Sequence, residues 1–296
     1  MAIDLSVIVT TRDNLESLKN TITSLQQQTF SADRYEIVIA DDSKGNETQD
    51  YISTFPKTDP LISCVSSENL GFQHGRNKAV KNSEGDLILF LNDTCLAPAT
   101  LLEAHYTMHT TIKHSIVRGP LMPLHGPIIQ ELRSFKAPQL DFTIINASIP
   151  RLGIAQIEKF NDKCKERFQD NEMYWRLRRS KFNEHFACSC YCFQEFRFYQ
   201  EHSLATVRNR AERFASSALE AYFENPQKDT AEALRLDIVL SSFQYPFTCS
   251  SLGYSIASSL INGKLEGKGW LQSSLMDAVF YYTFYERLKM KMKNFA

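Results

Sequence analysis

The sequence predicts an α/β protein with a doubly wound sheet flanked by helices, and two observations carry that reading. Three apolar runs in the first hundred residues each end in a polar cluster: Leu5-Ser6-Val7-Ile8-Val9 in Thr10-Thr11-Arg12, Tyr35-Glu36-Ile37-Val38-Ile39-Ala40 in Asp41-Asp42-Ser43, and Asp86-Leu87-Ile88-Leu89-Phe90-Leu91 in Asn92-Asp93-Thr94. Helical patterns alternate with these runs, the order that builds a parallel sheet through crossover connections. Parallel sheets present ligands at the carboxyl ends of their strands. The three polar clusters, two of them acidic, therefore form one candidate site.

The elements follow in order. Leu15, Leu18, Ile22 and Leu25 recur at helical spacing after the first strand, with Asp13 or Asn14 placed to cap that helix. Strand, helix and strand in this order imply a right-handed crossover. A second helix is expected over 47–55, a short strand over 61–65 and a third helix over 71–82, after which Gly85-Asp86 leads into the third long strand. A helix over 101–114 precedes a span rich in proline and glycine, 119–127, that breaks regular structure. Residues 142–186 are expected to hold a strand, a loop and a helix around 170–179. From about Leu204 onward the pattern is helical, with a break at Asn225-Pro226-Gln227.

Composition narrows the function classes. At 296 residues with 43% hydrophobic content, the chain can bury a sizeable core. A net charge of −1 gives no general attraction to nucleic acid, so an anionic ligand must be held by local basic groups or a metal. Seven cysteines without framework spacing suit a reducing compartment, which makes the cytoplasm the expected location. The N-terminus has no basic n-region or cleavage site, and no run approaches the ~18 apolar residues that cross a bilayer. Any membrane contact is expected from the surface, at the inner face.

The series Val7-Ile8-Val9-Thr10-Thr11-Arg12, Ile39-Ala40-Asp41-Asp42-Ser43, Asn69-Leu70-Gly71 with Gly75-Arg76-Asn77-Lys78-Ala79, and Leu89-Phe90-Leu91-Asn92-Asp93-Thr94 resembles family 2 glycosyltransferases of the GT-A fold. Asn146-Ala147-Ser148-Ile149, Gln169-Asp170-Asn171-Glu172 and Arg176-Leu177 continue the likeness in the family's order, over roughly residues 3–203. The resemblance implies a Rossmann-like mixed sheet, a GT-A nucleotide-sugar-binding and catalytic domain over 1–203, and a helical C-terminal region over 204–296 on the acceptor side, at a homodimer contact or at a membrane surface.

The resemblance also implies a reaction: transfer of one sugar, with inversion, from a nucleoside-diphosphate sugar, UDP-sugar favoured, to a hydroxyl of a glycan or lipid-linked acceptor. Asp42 would accept a hydrogen bond from a pyrimidine N–H while Thr10 and Arg12 line the other side of the nucleotide. Arg76 would add positive charge there, and Asn92 would complete the nucleotide site. Asp93 falls at the family's metal-binding aspartate, for Mn²⁺ or Mg²⁺. A late histidine ligand falls at His202, with Gln200 an equal candidate for that position. Asp170 matches the catalytic base. Two departures stand out. The usual acidic cluster is Asn92-Asp93-Thr94, with one carboxylate, and Gln169 replaces the acid that normally precedes the base.

Those departures keep open a second reading, a glycosyltransferase-like binding or assembly module without activity. The lack of a Gly-rich loop after the first strand argues against a nucleotidylyltransferase or a dinucleotide oxidoreductase. The lack of a Gln-x-x-Arg-Trp motif favours a non-processive enzyme. Asp41-Asp42-Ser43 suits a turn and helix cap as well as a ligand, and Asp170 with Glu172 suits the acidic first turn of a helix that ends in Arg176, Arg178 and Arg179. His105 and His109 read as a solvated helix face rather than a zinc site. Cys188, Cys190 and Cys192 read as buried residues on one face of a strand. Aromatics over 280–285 followed by Arg287, Lys289, Lys291 and Lys293 favour a helix packed on the catalytic domain, with an anionic membrane surface as the alternative.

Overall fold

We analysed a computed structural model that describes residues 3–124, 143–161 and 168–195, together with helical positions at 205, 208–209, 211–212, 255, 282–283, 286–287 and 290. Contacts divide the chain into two compact units, Met1–Asp162 with Arg176–Phe196, and Lys163–Trp175 with Arg197–Ala296.

The first unit is built on the expected strands. β1 (Leu5–Thr11) and β2 (Tyr35–Asp41) are buried at every position, and β4 (Leu87–Asn92) at every position but its last. Continuous apolar runs of this kind belong to strands covered on both faces. β1 pairs in parallel with β2 on one side and β4 on the other, with Thr10 opposite both Ala40 and Asn92 and Thr11 opposite Asp41. This in-register pairing brings the three polar clusters to one level. β3 (Leu61–Ser66) extends the sheet beyond β2.

α1 (Leu15–Gln26) lays Leu18, Ile22 and Leu25, all fully buried, against Val7, Val9, Ile37, Ile39, Leu89 and Leu91. Each such side chain contributes about 1.5–3 kcal/mol by leaving water. Asn14 holds the N-cap position of this helix, but its side chain makes no capping bond. α2 (Glu47–Ser53) and α3 (Phe72–Lys81) form the next two crossovers. Gly75 lets α3 approach the sheet, because a Cβ there would stand 3.3 Å from Ser67 Cβ and 3.4 Å from Ala40 Cβ.

The second half of the sheet departs from the simple alternating pattern. β5 (Cys95–Leu96), α4 (Leu101–Thr111), β6 (Ser115–Arg118), β7 (Leu121–Pro123), β8 (Ala147–Pro150) and α5 (Arg151–Gln156) follow in the chain. α6 (Phe168–Arg179) then runs from the second unit into the first, before β9 (Asn183–Phe186) and β10 (Cys192–Gln194). The main sheet has the order β3-β2-β1-β4-β8-β6-β9, with β8 antiparallel to both neighbours, so it is mixed. A three-stranded sheet, β5-β10-β7, stands beside it. β7 lies within the Pro/Gly-rich span expected to be irregular; strands of two or three residues are too short to leave a periodic signal.

Two local expectations are corrected. His105 and His109 are not a solvated face: His105 is fully buried and His109 partly so. His105 Nδ1 lies 2.8 Å from Ser148 Oγ and its Nε2 3.1 Å from Asn146 Oδ1, while His109 Nε2 reaches the same Ser148 Oγ at 2.8 Å. α4 is thus tied to β8 through polar groups that helical periodicity cannot reveal. Cys188 and Cys190 sit on a 3-10 turn rather than a strand, with Cys188 exposed and Cys190 buried. Cys192, on β10, is buried as expected.

Candidate active site

The carboxyl ends of β1, β2 and β4 gather Thr10, Arg12, Asp42, Asn92 and Asp93 in the first unit. Asp42 is the centre of the most constrained cluster. It is fully buried, its Oδ2 accepts from Arg12 Nε at 2.8 Å and from Arg12 Nη2, and its Oδ1 accepts from Gly71 N–H at 2.9 Å and from Ser67 Oγ. Gly71 reaches this bond with φ +106°, a conformation that side chains resist. The Arg12 guanidinium, which is half exposed, also stacks 4.6 Å from the centre of the Phe72 ring. Both Asp42 oxygens are thus engaged, and Arg12 stands between Asp42 and Phe72 as the partner of each.

Asp41 behaves differently. Its Oδ1 accepts from Ser43 N–H at 3.0 Å, while its buried Oδ2 has no hydrogen-bond partner among the described residues. Burial, with the nearby Asp41 charge adding to it, pushes the Cys64 thiol up to about 12. Arg76, on α3, is buried, with Nη1 3.4 Å from Gln73 Oε1 and its guanidinium 5.8 Å from the Phe160 ring centre. Thr10, also buried, turns its hydroxyl to Leu91 O at 3.4 Å.

At the end of β4, Asp93 Oδ2 accepts from Thr11 Oγ1 at 2.7 Å, its N–H donates to Thr10 O at 3.0 Å, and its carbonyl accepts from Thr21 Oγ1 at 2.9 Å. The turn is therefore bound to both β1 and α1. Asn92 Oδ1 accepts from Thr94 Oγ1 at 3.0 Å and Cys95 Sγ at 2.9 Å, and Gln194 Nε2 lies 3.5 Å from it and 3.2 Å from Thr94 Oγ1. Cys192, beside Cys95, has its thiol pushed well up by the bond to Cys95 and by burial.

Asp93 supplies one hard carboxylate, and among the described residues no group of three or more His, Cys, Asp and Glu gathers. Such a set suits Mn²⁺ or Mg²⁺ only where phosphate oxygens of a nucleotide make up the remaining ligands. It does not form a protein-only cage.

Asp170 lies in the first turn of α6, partly exposed, in the unit that also holds the C-terminal residues. Further along that helix, in the first unit, Arg176 Nη1 donates to Ile157 O at 2.6 Å and Lys159 O at 2.7 Å. His202 and Gln200 lie outside the described residues, as does most of the C-terminal aromatic and basic stretch. Arg287 is described, and its guanidinium pairs with Glu212 at 2.7 and 3.0 Å. A cavity of about 330 Å³ opens elsewhere, at the amino-terminal ends of β1 and β4 between Asp4, Asp86, Leu87, Tyr106, His109 and Phe182. The strand-end residues do not line it.

The motif reading missed several of these residues. Thr11, Gly71 and Phe72 stand next to or inside motifs it used. Cys95 and Gln194 carried no signal, because Gln194 arrives on a three-residue strand 102 positions after Asn92.

Comparison with known proteins agrees with this construction. Residues 6–122 match the model of the family described as glycosyl transferase family 2. An uncharacterized glycosyltransferase of Bacillus subtilis, YfnE, is 32% identical over 114 residues, 38% of this chain and 29% of YfnE. The poly(ribitol-phosphate) β-N-acetylglucosaminyltransferase TarS of Staphylococcus aureus is 26% identical over 152 residues, 49% of this chain and 25% of TarS. The matches thus span less than a third of those relatives' own lengths. Among solved structures, the mannosyltransferase PcManGT of Pyrobaculum calidifontis with GDP-Man and Mn²⁺ superposes with TM-score 0.64 at 15% identity, covering 100% of this chain and 88% of that one. TarS 1–349 with UDP-GlcNAc gives 0.56 at 14%, covering 99% and 92%.

The fold is GT-A, and the strand-end site lies in a domain of the kind found in glycosyltransferases. The segment 6–122, which holds most of β1 and all of β2 to β6, is similar to family 2 glycosyltransferases.

Proposed function

We propose that this protein transfers a single sugar, with inversion, from a nucleoside-diphosphate sugar, a UDP-sugar in the first instance, to a hydroxyl of a glycan or lipid-linked acceptor. The observation that carries the reading is the meeting of Arg12, Asp42, Asn92 and Asp93 at one level of a parallel sheet, inside the segment that matches the family. PcManGT with GDP-Man and TarS with UDP-GlcNAc lend the donor class.

In this reading Thr10, Arg12 and Asp42 bind the nucleotide. Because both Asp42 oxygens are taken, a base that bonds to Asp42 must displace Arg12, Ser67 or the Gly71 N–H. Arg76 contributes a fixed positive charge to the nucleotide side. Asn92 and Asp93 face the diphosphate, with Asp93 and His202 as cation ligands. A divalent cation, when bound, supplies counter-charge to the leaving diphosphate. Asp170 takes the proton of the acceptor hydroxyl as its oxygen attacks the anomeric carbon opposite the leaving diphosphate, and the departing nucleoside diphosphate carries off the bonding pair. Attack from the opposite face inverts the configuration.

The C-terminal residues would shape the acceptor side. No described helix is long and apolar enough to cross a membrane, and Arg287 is paired with Glu212 within that unit.

A thermal-shift titration with UDP, GDP, CMP and dTDP, each with and without Mn²⁺, on wild type and Asp93→Ala tests the reading. A ligand of the folded state raises the melting temperature. Stabilisation by one nucleoside diphosphate, strengthened by Mn²⁺ and reduced in the variant, is the expected result. No shift with any nucleotide favours the inactive module instead.

A further inference from the structure

We infer that Asn92 meets the donor diphosphate as a hydrogen-bond donor, through its amide N–H₂, and that Gln194 with Cys95 is what holds it in that orientation; this rests on the transferase reading above. A side-chain amide has one oxygen that accepts and one nitrogen that donates. At Asn92 the neighbours decide which is which. Cys95 offers an S–H, 2.9 Å away, and Thr94 an O–H, 3.0 Å away, while Gln194 Nε2 approaches at 3.5 Å. All converge on the same Asn92 atom, so that atom is the oxygen. The Gln194 amide is tied in turn to Thr94 Oγ1 at 3.2 Å, which keeps the Thr94 hydroxyl directed at Asn92.

With its oxygen filled, Asn92 presents the nitrogen. Nδ2 bonds to no described residue and is not among the buried atoms left without a partner, so it is open to solvent. Asn92 is the last residue of β4, opposite Thr10 and next to Asp93, at the level where a parallel sheet receives ligands. A donor there suits an anionic acceptor oxygen and does not suit a cation. The chemistry of the departure from an acidic cluster follows: where a carboxylate would bring negative charge that a metal must neutralise, Asn92 brings a bond to the phosphate itself. The nucleotide should therefore keep measurable affinity without metal, to which Mn²⁺ adds, and Gln194 acts as a positioning residue rather than a contact.

The test reads the ratio of dissociation constants for UDP and for GDP in EDTA and in Mn²⁺, by calorimetry on the full chain. The variants are Asn92→Asp, Gln194→Met and Cys95→Ser. Asn92→Asp keeps one oxygen for Cys95, Thr94 and Gln194 but turns the outward N–H₂ into a negative oxygen. It is expected to weaken metal-free binding ~10- to 100-fold, the size of a lost charge-assisted hydrogen bond. The loss in Mn²⁺ is expected to be smaller, because the new carboxylate is a hard ligand. Gln194→Met should shift the metal-free constant in the same direction, ~3-fold, as one of three restraints is lost. Cys95→Ser keeps a donor toward Asn92 and should leave the ratio at the wild-type value.

A fold defect in any variant would appear in its ligand-free melt and weaken both arms equally, leaving the ratio unchanged, and an unchanged ratio in Asn92→Asp overturns the inference. Uridine, which lacks phosphate, separates the sources of the acceptor oxygen. An Asn92→Asp loss that disappears with uridine supports the phosphate, and one that persists overturns it. Wild type that binds no nucleoside diphosphate in either condition overturns the transferase reading, and this inference with it.

Discussion

Acidification should unlock the His105 network, and the structure sets the size of the effect. Asn146 Nδ2 donates to Cys190 O at 2.8 Å and to Pro120 O at 3.3 Å, so its Oδ1 is left to accept from His105. His105 therefore carries its proton on Nε2, and Nδ1 accepts from the Ser148 hydroxyl. A second proton on Nδ1 would oblige the Ser148 hydroxyl to turn and accept instead of donate. Burial, and to a lesser degree the His109 charge, push His105 down from its ordinary 6.5 to about 4, against the bond to Asn146, which acts upward. The unfolded chain thus binds a proton that the folded chain refuses between these values. Stability is fully present above pH 6.5 and is lost as pH falls toward 4. At 1.36 kcal/mol per unit, His105 accounts for about 2 kcal/mol of loss by pH 5 and about 3 kcal/mol by pH 4. His109, also held near 4 chiefly by burial, adds a smaller part because it is less enclosed. Urea unfolding of wild type and His105→Gln at pH 7, 6, 5 and 4.5 measures the difference. Wild type should lose about 2 kcal/mol more than the variant between pH 7 and 5. Parallel curves for the two proteins would refute the burial argument.

Replacing Gly71 by Ala meets no steric obstacle, since nothing lies within 4 Å of the added Cβ, so its cost is backbone conformation alone at φ +106°. A loss of about 1–3 kcal/mol in urea unfolding is expected. Asp170→Asn is expected to lower kcat by ~100-fold or more while the dissociation constant of the donor stays within about twofold, because a base acts on the acceptor and not on the nucleotide. An equal fall in donor affinity would remove Asp170 from the role of base.

The strand-end cluster was legible in the sequence for a physical reason. A strand buried on both faces must be apolar along its length, so the change from Leu91 to Asn92, or from Ala40 to Asp41, marks its end as sharply in the sequence as in the fold. Parallel pairing in register then obliges those ends to meet. Thr10, Arg12, Asp42, Asn92 and Asp93 were found this way, and their order along the chain carried the family likeness.

What the chain's own pattern could not determine are the partners of those residues. His105 and His109 look like a polar helix face until β8 supplies Ser148 and Asn146, and burial of a histidine depends on what packs over it rather than on its spacing. Gln194 and Cys95 acquire meaning from β5 and β10, whose two or three residues have no period to read and whose pairing spans about a hundred positions. The filled oxygens of Asp42, and the orientation of the Asn92 amide, are likewise consequences of which donors arrive from other strands and loops. Sequence by itself determined the sheet, the level of its polar ends and the residue types that stand there. Tertiary structure alone decided which atoms of those residues are already bound and which remain to meet a ligand, because hydrogen-bond satisfaction is a property of neighbours in space and not of neighbours along the chain.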